Sequence, residues 1–251
     1  MSTGLYIYGI APGALPADGL GPGLGGGEVT ALHAAGFTAL LGAAPPAPIE
    51  ATRRFMLAHT AVLERAMRAT DILPMRFGTV APDEAALHRC LVAHAPAFRE
   101  ALEGIAGRVE LGVKAQWHEG LIWREIVEGD AELRALRDRL KTRPAQETYY
   151  ERIELGRRVE AALARRREAD GAAIAATLAP LAEREVELRS VEEDMILSRA
   201  FLVRREAEAQ FDAGMEALAQ RFGERVTFKY VGPVPPYNFV TLRADWLREA
   251  A

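Results

Sequence analysis

The sequence predicts an α+β protein of two domains, over residues 1–118 and 119–251. Three observations lead there. Val109, Leu111, Val113, Ala115 and Trp117 alternate with Arg108, Glu110, Gly112, Lys114 and Gln116, the pattern of a strand in a sheet covered on one face. From residue 118 the composition shifts to a helical stretch rich in Ala, Glu and Arg. The last third then returns to short β-rich runs and one regular helical stripe. Hydrophobic residues make up 49% of the 251, ample for a buried core.

The elements follow in order. Leu5 to Ile10 is a short β-rich run bounded by glycines. Residues 11 to 27 hold seven glycines and three prolines and read as a loop of poor order. Val29 to Leu41 accommodates one or two strands, and the prolines of 43–48 form a second connector. From Glu50 to Thr70 the pattern is helical, with Phe55, His59, Val62, Ala66 and Met67 on one face at spacings of three and four. Ile72 to Val80 reads as a strand broken by Pro74. Pro82 to Ile105 reads as a helix with Pro82 in its first turn, kinked or split at Pro96. With the strand at 108–117 the order is β, β, α, β, α, β, which resembles the split βαβ, ferredoxin-like sandwich. The first domain is therefore expected to be ferredoxin-like and the second a helical plus antiparallel-sheet α+β domain.

In the second domain, residues 118 to 183 read as helices, with Tyr149, Ile153, Val159 and Leu163 on one stripe. Arg165, Arg166 and Arg167 sit near that helix's expected end, where cations complement the helix dipole; a phosphate or lipid-headgroup site is the lesser reading. Glu185 to Ser190 and Met195 to Val203 read as strands, joined by a turn of solvated carboxylates, Glu192, Glu193 and Asp194. Ala207, Phe211, Met215, Leu218 and Phe222 form a helical stripe, and Val226 to Val231 a strand. The run Gly104 to Leu111 resembles Arg221 to Phe228: helix end, glycine, arginine, strand. Beyond it lies the most distinctive segment, Tyr230 to Val240. Pro233, Pro235 and Pro236 stiffen it and strip it of amide donors, so it reads as a strand, a fixed corner and a second extended piece that closes the C-terminal sheet and packs Tyr237 and Phe239 into the core.

Several functional classes are disfavoured. The net charge of −4 gives no basic surplus for nucleic acid. No apolar stretch approaches the ~20 residues of a membrane span, and the N-terminus lacks a signal-peptide pattern. One cysteine, Cys90, cannot form an internal disulfide, which suits a reducing cytosol; inside a predicted helix it reads as a buried, inert thiol. Ser2, Ser190 and Ser198 are the only serines, and none sits in a nucleophile elbow. His33, His59, His88, His94 and His118 show no zinc-ligand spacing. The glycine-rich run 21–27 lacks the Gly-Lys-Ser/Thr ending of a phosphate loop. No catalytic residue, cofactor or metal is expected. Arg76 and Phe77, within Leu73 to Thr79, are read as structural, with anchoring of a partner as the alternative.

Four blocks carry a family resemblance: the opening Leu5-Tyr6-Ile7-Tyr8-Gly9-Ile10; His59, Val62, Leu63 and Glu64 followed by Leu73-Pro74-Met75-Arg76-Phe77-Gly78-Thr79; Glu110 to Trp117; and the closing Tyr230 to Val240. In order and spacing they resemble the gas vesicle protein GvpL/GvpF family, on its GvpF side. Val234 departs from the pattern, where the family often carries tryptophan. The resemblance implies a cytoplasmic, non-enzymatic accessory or minor structural protein of gas vesicles. It would assist nucleation and assembly, with the hydrophobic shell protein GvpA and other gas vesicle proteins as partners and no nucleic acid or membrane span. The candidate contact residues are Arg76, Phe77, Pro233, Val234, Pro235, Pro236 and Tyr237. The competing reading is a two-domain regulatory or small-ligand-binding protein; an enzyme ranks third.

Overall fold

In the computed structural model, which describes residues 4–190 and 192–240, the first strand is wholly enclosed. Strand β1 (Leu5–Pro12) buries Tyr6 through Ala11 without interruption, so both faces of its sheet are covered. Beside it run the hairpin strands β2 (Thr30–Ala34) and β3 (Phe37–Ala43). Helix α1 (Arg53–Met67) follows, N-capped by Thr52, whose hydroxyl accepts from Phe55 N–H. Two short strands, β4 (Leu73–Pro74) and β5 (Val80–Ala81), then pair antiparallel with β1. The sheet order is β2-β3-β1-β4, with β5 also on β1.

The strand expected over 72–80 is thus two bridges separated by a turn. Gly78 supplies that turn's positive φ of 86°. The helix expected over 82–105 divides into α2 (Glu84–Ala93), capped by the Asp83 carboxylate, and α3 (Ala95–Glu103), with Pro96 in its first turn. Ile7, Ile10, Phe37, Leu73, Leu87, Cys90, Leu91 and Phe98 form one core on the α2–α3 side of the sheet. Cys90 is fully buried there, as a small apolar residue. The glycine-rich loop is anchored, contrary to the expectation of poor order. Leu15, Leu20 and Leu24 are buried, and Leu24 N–H donates to the Tyr8 hydroxyl at 2.8 Å.

Strand β6 (Arg108–Trp117) is followed by α4 (Glu119–Gly129), α5 (Ala131–Lys141) and the long α6 (Tyr149–Leu178). Strands β7 (Arg184–Glu187) and β8 (Met195–Arg204), helix α7 (Glu208–Phe222) and strand β9 (Val226–Val234) complete the described chain. Their sheet runs β7-β8-β6-β9. A β-α-β-β-α-β element order with this strand order is the split βαβ arrangement. The α+β class holds, and the ferredoxin-like layout belongs to these later strands. The sequence placed it one step early because β6, counted there as the last strand of the first domain, pairs as the first strand of the second sheet. The two look-alike segments lead into β6 and β9, neighbours in that sheet; α7 stops at Gly223, with a φ of 54°, whereas α3 ends at Gly104 in a helical conformation and the positive φ comes at Gly107 in the turn that follows.

The chain forms two compact units, residues up to 110 with 232 onward, and 111–231. This differs from a division at 118/119 in one important respect: the described segment 232–240 belongs to the first unit. No helix of the described residues is long and apolar enough to cross a membrane.

Candidate functional site

His59 is where the opening block, the Leu73 to Thr79 block and the closing block meet. It lies on the inner face of α1 and is 2% exposed. Its Nε2 lies 3.1 Å from the Met75 carbonyl oxygen, which can only accept. Nε2 therefore carries the proton, and Nδ1 accepts from the Tyr6 hydroxyl at 2.9 Å. That hydroxyl in turn accepts from Gly78 N–H at 3.3 Å. Burial holds the imidazole down at about 4, the Met75 bond opposing only in part. Burial likewise pushes the Tyr6 and Tyr8 phenols up. The chain of groups is neutral and fully directional. It fixes geometry and has no proton to give near neutrality.

The segment after Pro74 is held against this group. Met75 N–H donates to the Tyr8 carbonyl at 2.9 Å, and Ile7 N–H to the Thr79 carbonyl at 2.9 Å. Thr79 closes the intervening turn through its hydroxyl, which donates to the Arg76 carbonyl at 2.6 Å. Arg76 is engaged in the turn through its backbone, and its side chain is exposed. The Phe77 ring, half-buried, lies 6.0 Å from Tyr6 and 5.9 Å from His59 in edge-on geometry.

The terminal segment reaches the same place. Pro235, Pro236 and Phe239 are buried and Tyr237 is half-buried, its ring 6.5 Å from His59. Burial raises the Tyr237 phenol, which lies beside Thr60 and Glu64 of α1. Asn238 donates twice to Glu110, from its backbone N–H at 2.8 Å and its side-chain Nδ2 at 2.6 Å. Glu110 is 5% exposed, and desolvation keeps its carboxyl above the usual range despite those bonds. Tyr237 and Phe239 thus pack into the first unit, where a closing of the C-terminal sheet was expected.

Of the predicted contact residues, the structure gathers Phe77 and Tyr237 on His59, with Arg76 on the turn beside them. Pro235 and Pro236 are buried beneath the segment. Pro233 is exposed and Val234 half-buried at the end of β9. Sequence reasoning missed Met56 and Leu57, 42% and 59% exposed. Thr60 and Glu64 follow Met56 at i+4 and i+8, so Met56 lies on the flank of α1 that Thr60 and Glu64 occupy, and Leu57 lies a further 100° around the helix. Their signal was present as two apolar residues outside the inward stripe of His59.

The arginine run of the second unit has structural duties and sits inside α6, far from its C-terminus. Arg166 pairs with Glu125 and with Asp170. Arg167 donates to the carbonyls of Met195 at 3.0 Å and Glu193 at 2.5 Å. Asp170, 6% exposed, also accepts from Trp117 Nε1 at 3.0 Å and Arg225 Nη2 at 2.9 Å. Arg166 is thus engaged by the carboxylates around the buried Asp170 and Arg167 by backbone carbonyls, which leaves neither for a phosphate or headgroup. Of the stripe expected through Tyr149, Ile153, Val159 and Leu163, the first two face outward at 61% and 53% exposure, while Val159 is buried and Leu163 half-buried. Among the described residues, no cluster of three His, Cys, Asp or Glu could hold a metal ion.

The family model described as gas vesicle synthesis protein GvpL/GvpF matches residues 4–241. Gas vesicle protein F of Nostoc sp. (strain PCC 7120) is 32% identical, over 96% of this chain and 100% of that protein. The crystal structure of GvpF from Anabaena sp. PCC7120 superposes with a TM-score of 0.83 at 31% identity, covering 96% of this chain and all of that one. GvpF from Microcystis aeruginosa gives 0.78 at 30% identity, with the same coverage.

Proposed function

The chain belongs to the gas vesicle GvpL/GvpF family, and from that premise we propose that it assists gas vesicle nucleation and assembly by shielding the hydrophobic shell protein GvpA before that protein polymerises. The role is non-catalytic, and its setting is the cytoplasm where vesicles form. One observation carries this reading. The opening block, the blocks within 59–79 and the closing block meet at His59 of the first unit, where Phe77 and Tyr237 are partly exposed and the Arg76 side chain is exposed, and α1 carries two exposed apolar residues, Met56 and Leu57. A subunit that is apolar before assembly aggregates unless that surface is covered. A rigid apolar face with an adjacent cation suits an apolar segment that carries a carboxylate.

The test is light scattering of the shell protein as it is diluted from denaturant. The wild-type chain should suppress aggregation and co-purify with the shell protein. Met56→Asp with Leu57→Asp should weaken both, at least about tenfold in capture, while the unfolding midpoint barely moves, since both side chains are exposed. No suppression, no capture, and normal vesicles in a deletion strain would together defeat the reading.

A further inference from the structure

Among the described residues, β9 is the last strand of its sheet and lies beside β6. Two contacts fix their register. His118 N–H donates to the Arg225 carbonyl at 2.9 Å, and a Cβ at Gly112 would lie 3.9 Å from the Val231 Cβ. The intervals 112–118 and 225–231 are equal in length, so the strands run antiparallel and pair Lys229 with Lys114 and Thr227 with Gln116. These side chains share one face. Phe228 and Tyr230 point the other way, to Phe222 and Phe211 of α7, at ring separations of 5.9 and 6.0 Å, and successive residues of a strand alternate. The chain has three lysines, Lys114, Lys141 and Lys229, so two of them stand directly opposite each other. Both are exposed, and among the described residues neither forms an ion pair. Like charges so placed destabilise a sheet, so the pair does not serve folding. One row along, Gly112 brings no side chain, and Val231 is left 60% exposed.

We propose that this face of β6 and β9 is a docking site for an extended segment of another protein, with a carboxylate seated between Lys114 and Lys229 and an apolar side chain beside Val231, over Gly112. Charge selects the occupant. A carboxylate relieves the repulsion between the two ammonium groups, whereas a second copy of the face brings two more cations and is refused. Spacing selects the conformation. Neighbouring rows on one face of a strand are about 7 Å apart, the distance between residues i and i+2 of an extended segment. A lipid surface or a nucleic acid would engage a broad field of cations. Two lysines and one valine instead ask for one carboxylate and one apolar side chain. The site lies in the second unit and does not depend on the reading of the first.

A short labelled peptide that repeats Glu-Thr-Val-Thr, titrated into the full chain, reads the site, with Lys-Thr-Val-Thr as its counterpart. Fluorescence anisotropy should show the acidic peptide bound at least about tenfold more tightly than the basic one. Lys114→Glu and Lys229→Glu each place a carboxylate opposite a lysine. Each should raise the unfolding midpoint, by about 1–3 °C at low salt, and lose the acidic peptide. The double reversal restores like charges, so its midpoint should fall back and its preference should switch to the basic peptide. Val231→Thr should weaken the acidic peptide several-fold with little change in midpoint. If neither single reversal raises the midpoint, the lysines are not opposed, which overturns the site. Raised midpoints with no peptide bound by the wild type leave the cross-strand pair standing and overturn the docking. Peptide binding that survives both reversals lies elsewhere on the molecule, and binding indifferent to Val231→Thr is charge alone; either result overturns the site. Binding to anionic phosphatidylglycerol vesicles in place of the peptide overturns the choice of a protein partner.

Discussion

At the scale of single residues, the chemistry of this protein is spent on position. His59 is held neutral between the Met75 carbonyl and the Tyr6 hydroxyl, and that has a consequence for stability. Its value in the folded chain is about 4, against 6.5 for a free imidazole. Above pH 6.5 neither state binds the proton and the contribution is fully present. As pH falls from 6.5 to about 4 the unfolded chain takes up a proton that the folded chain refuses. Stability should decline across that window by up to about 3 kcal/mol. Glu110 acts in the opposite direction, since its raised carboxyl takes up a proton more readily when folded. His59→Gln retains an N–H for Met75 and has nothing to titrate, so urea unfolding at pH 7.5, 6 and 5 should show a flatter decline than wild type. Equal slopes would mean that His59 does not govern the acid response. Gly9 shows the same tightness sterically, because a Cβ there would lie 2.8 Å from the Leu73 carbonyl oxygen. Alternation in the sequence put Glu110 on a polar face; its burial depends on Asn238, 128 residues away, a distance no local pattern spans.

At the scale of elements, periodicity was read well in α1 and α7 and less well in α6. The inward stripes of α1 and α7 match the sequence, since His59, Val62, Ala66 and Met67, and Phe211, Met215, Leu218 and Phe222, are buried. The end of α6 was placed too early, near the arginine run; the helix runs through Gly171 to Leu178, just ahead of Pro180. The hairpin between β2 and β3 was also obscure, for a physical reason. Its register pairs Ala34 with Phe37, leaving Ala35 and Gly36 as a two-residue loop with φ of 53° and 84°. Positive φ at both positions defines a type I′ turn, whose usual signal is Asn-Gly or Asp-Gly. Ala35 occupies the first position at a steric cost. Ala35→Asn should therefore stabilise the protein, by about 0.5–1 kcal/mol. Thermal unfolding would show a raised midpoint, and a lowered one would mean that the turn is not type I′.

At the scale of the whole molecule, two sheets and a helical interval were legible, because strand alternation and composition mark them. The return of the chain to the first unit was not legible. A proline-rich end reads the same whichever sheet it meets, and the choice is made by Glu110 and by the apolar surface around His59. This assignment gives a prediction about which unit the end supports. A chain stopped after Val240 keeps segment 235–240, and one stopped after Val234 loses it. The longer chain should exchange amide hydrogens over 53–75 slowly. In the shorter chain that stretch loses the burial supplied by Pro235, Pro236, Tyr237 and Phe239, and it should exchange faster. Residues 149–178, whose Asp170 network lies wholly within the second unit, should stay protected in both. Exchange that rises over 149–178 and spares 53–75 would place the end of the chain with the second sheet, as the sequence first suggested, and would remove the basis for the convergence on His59.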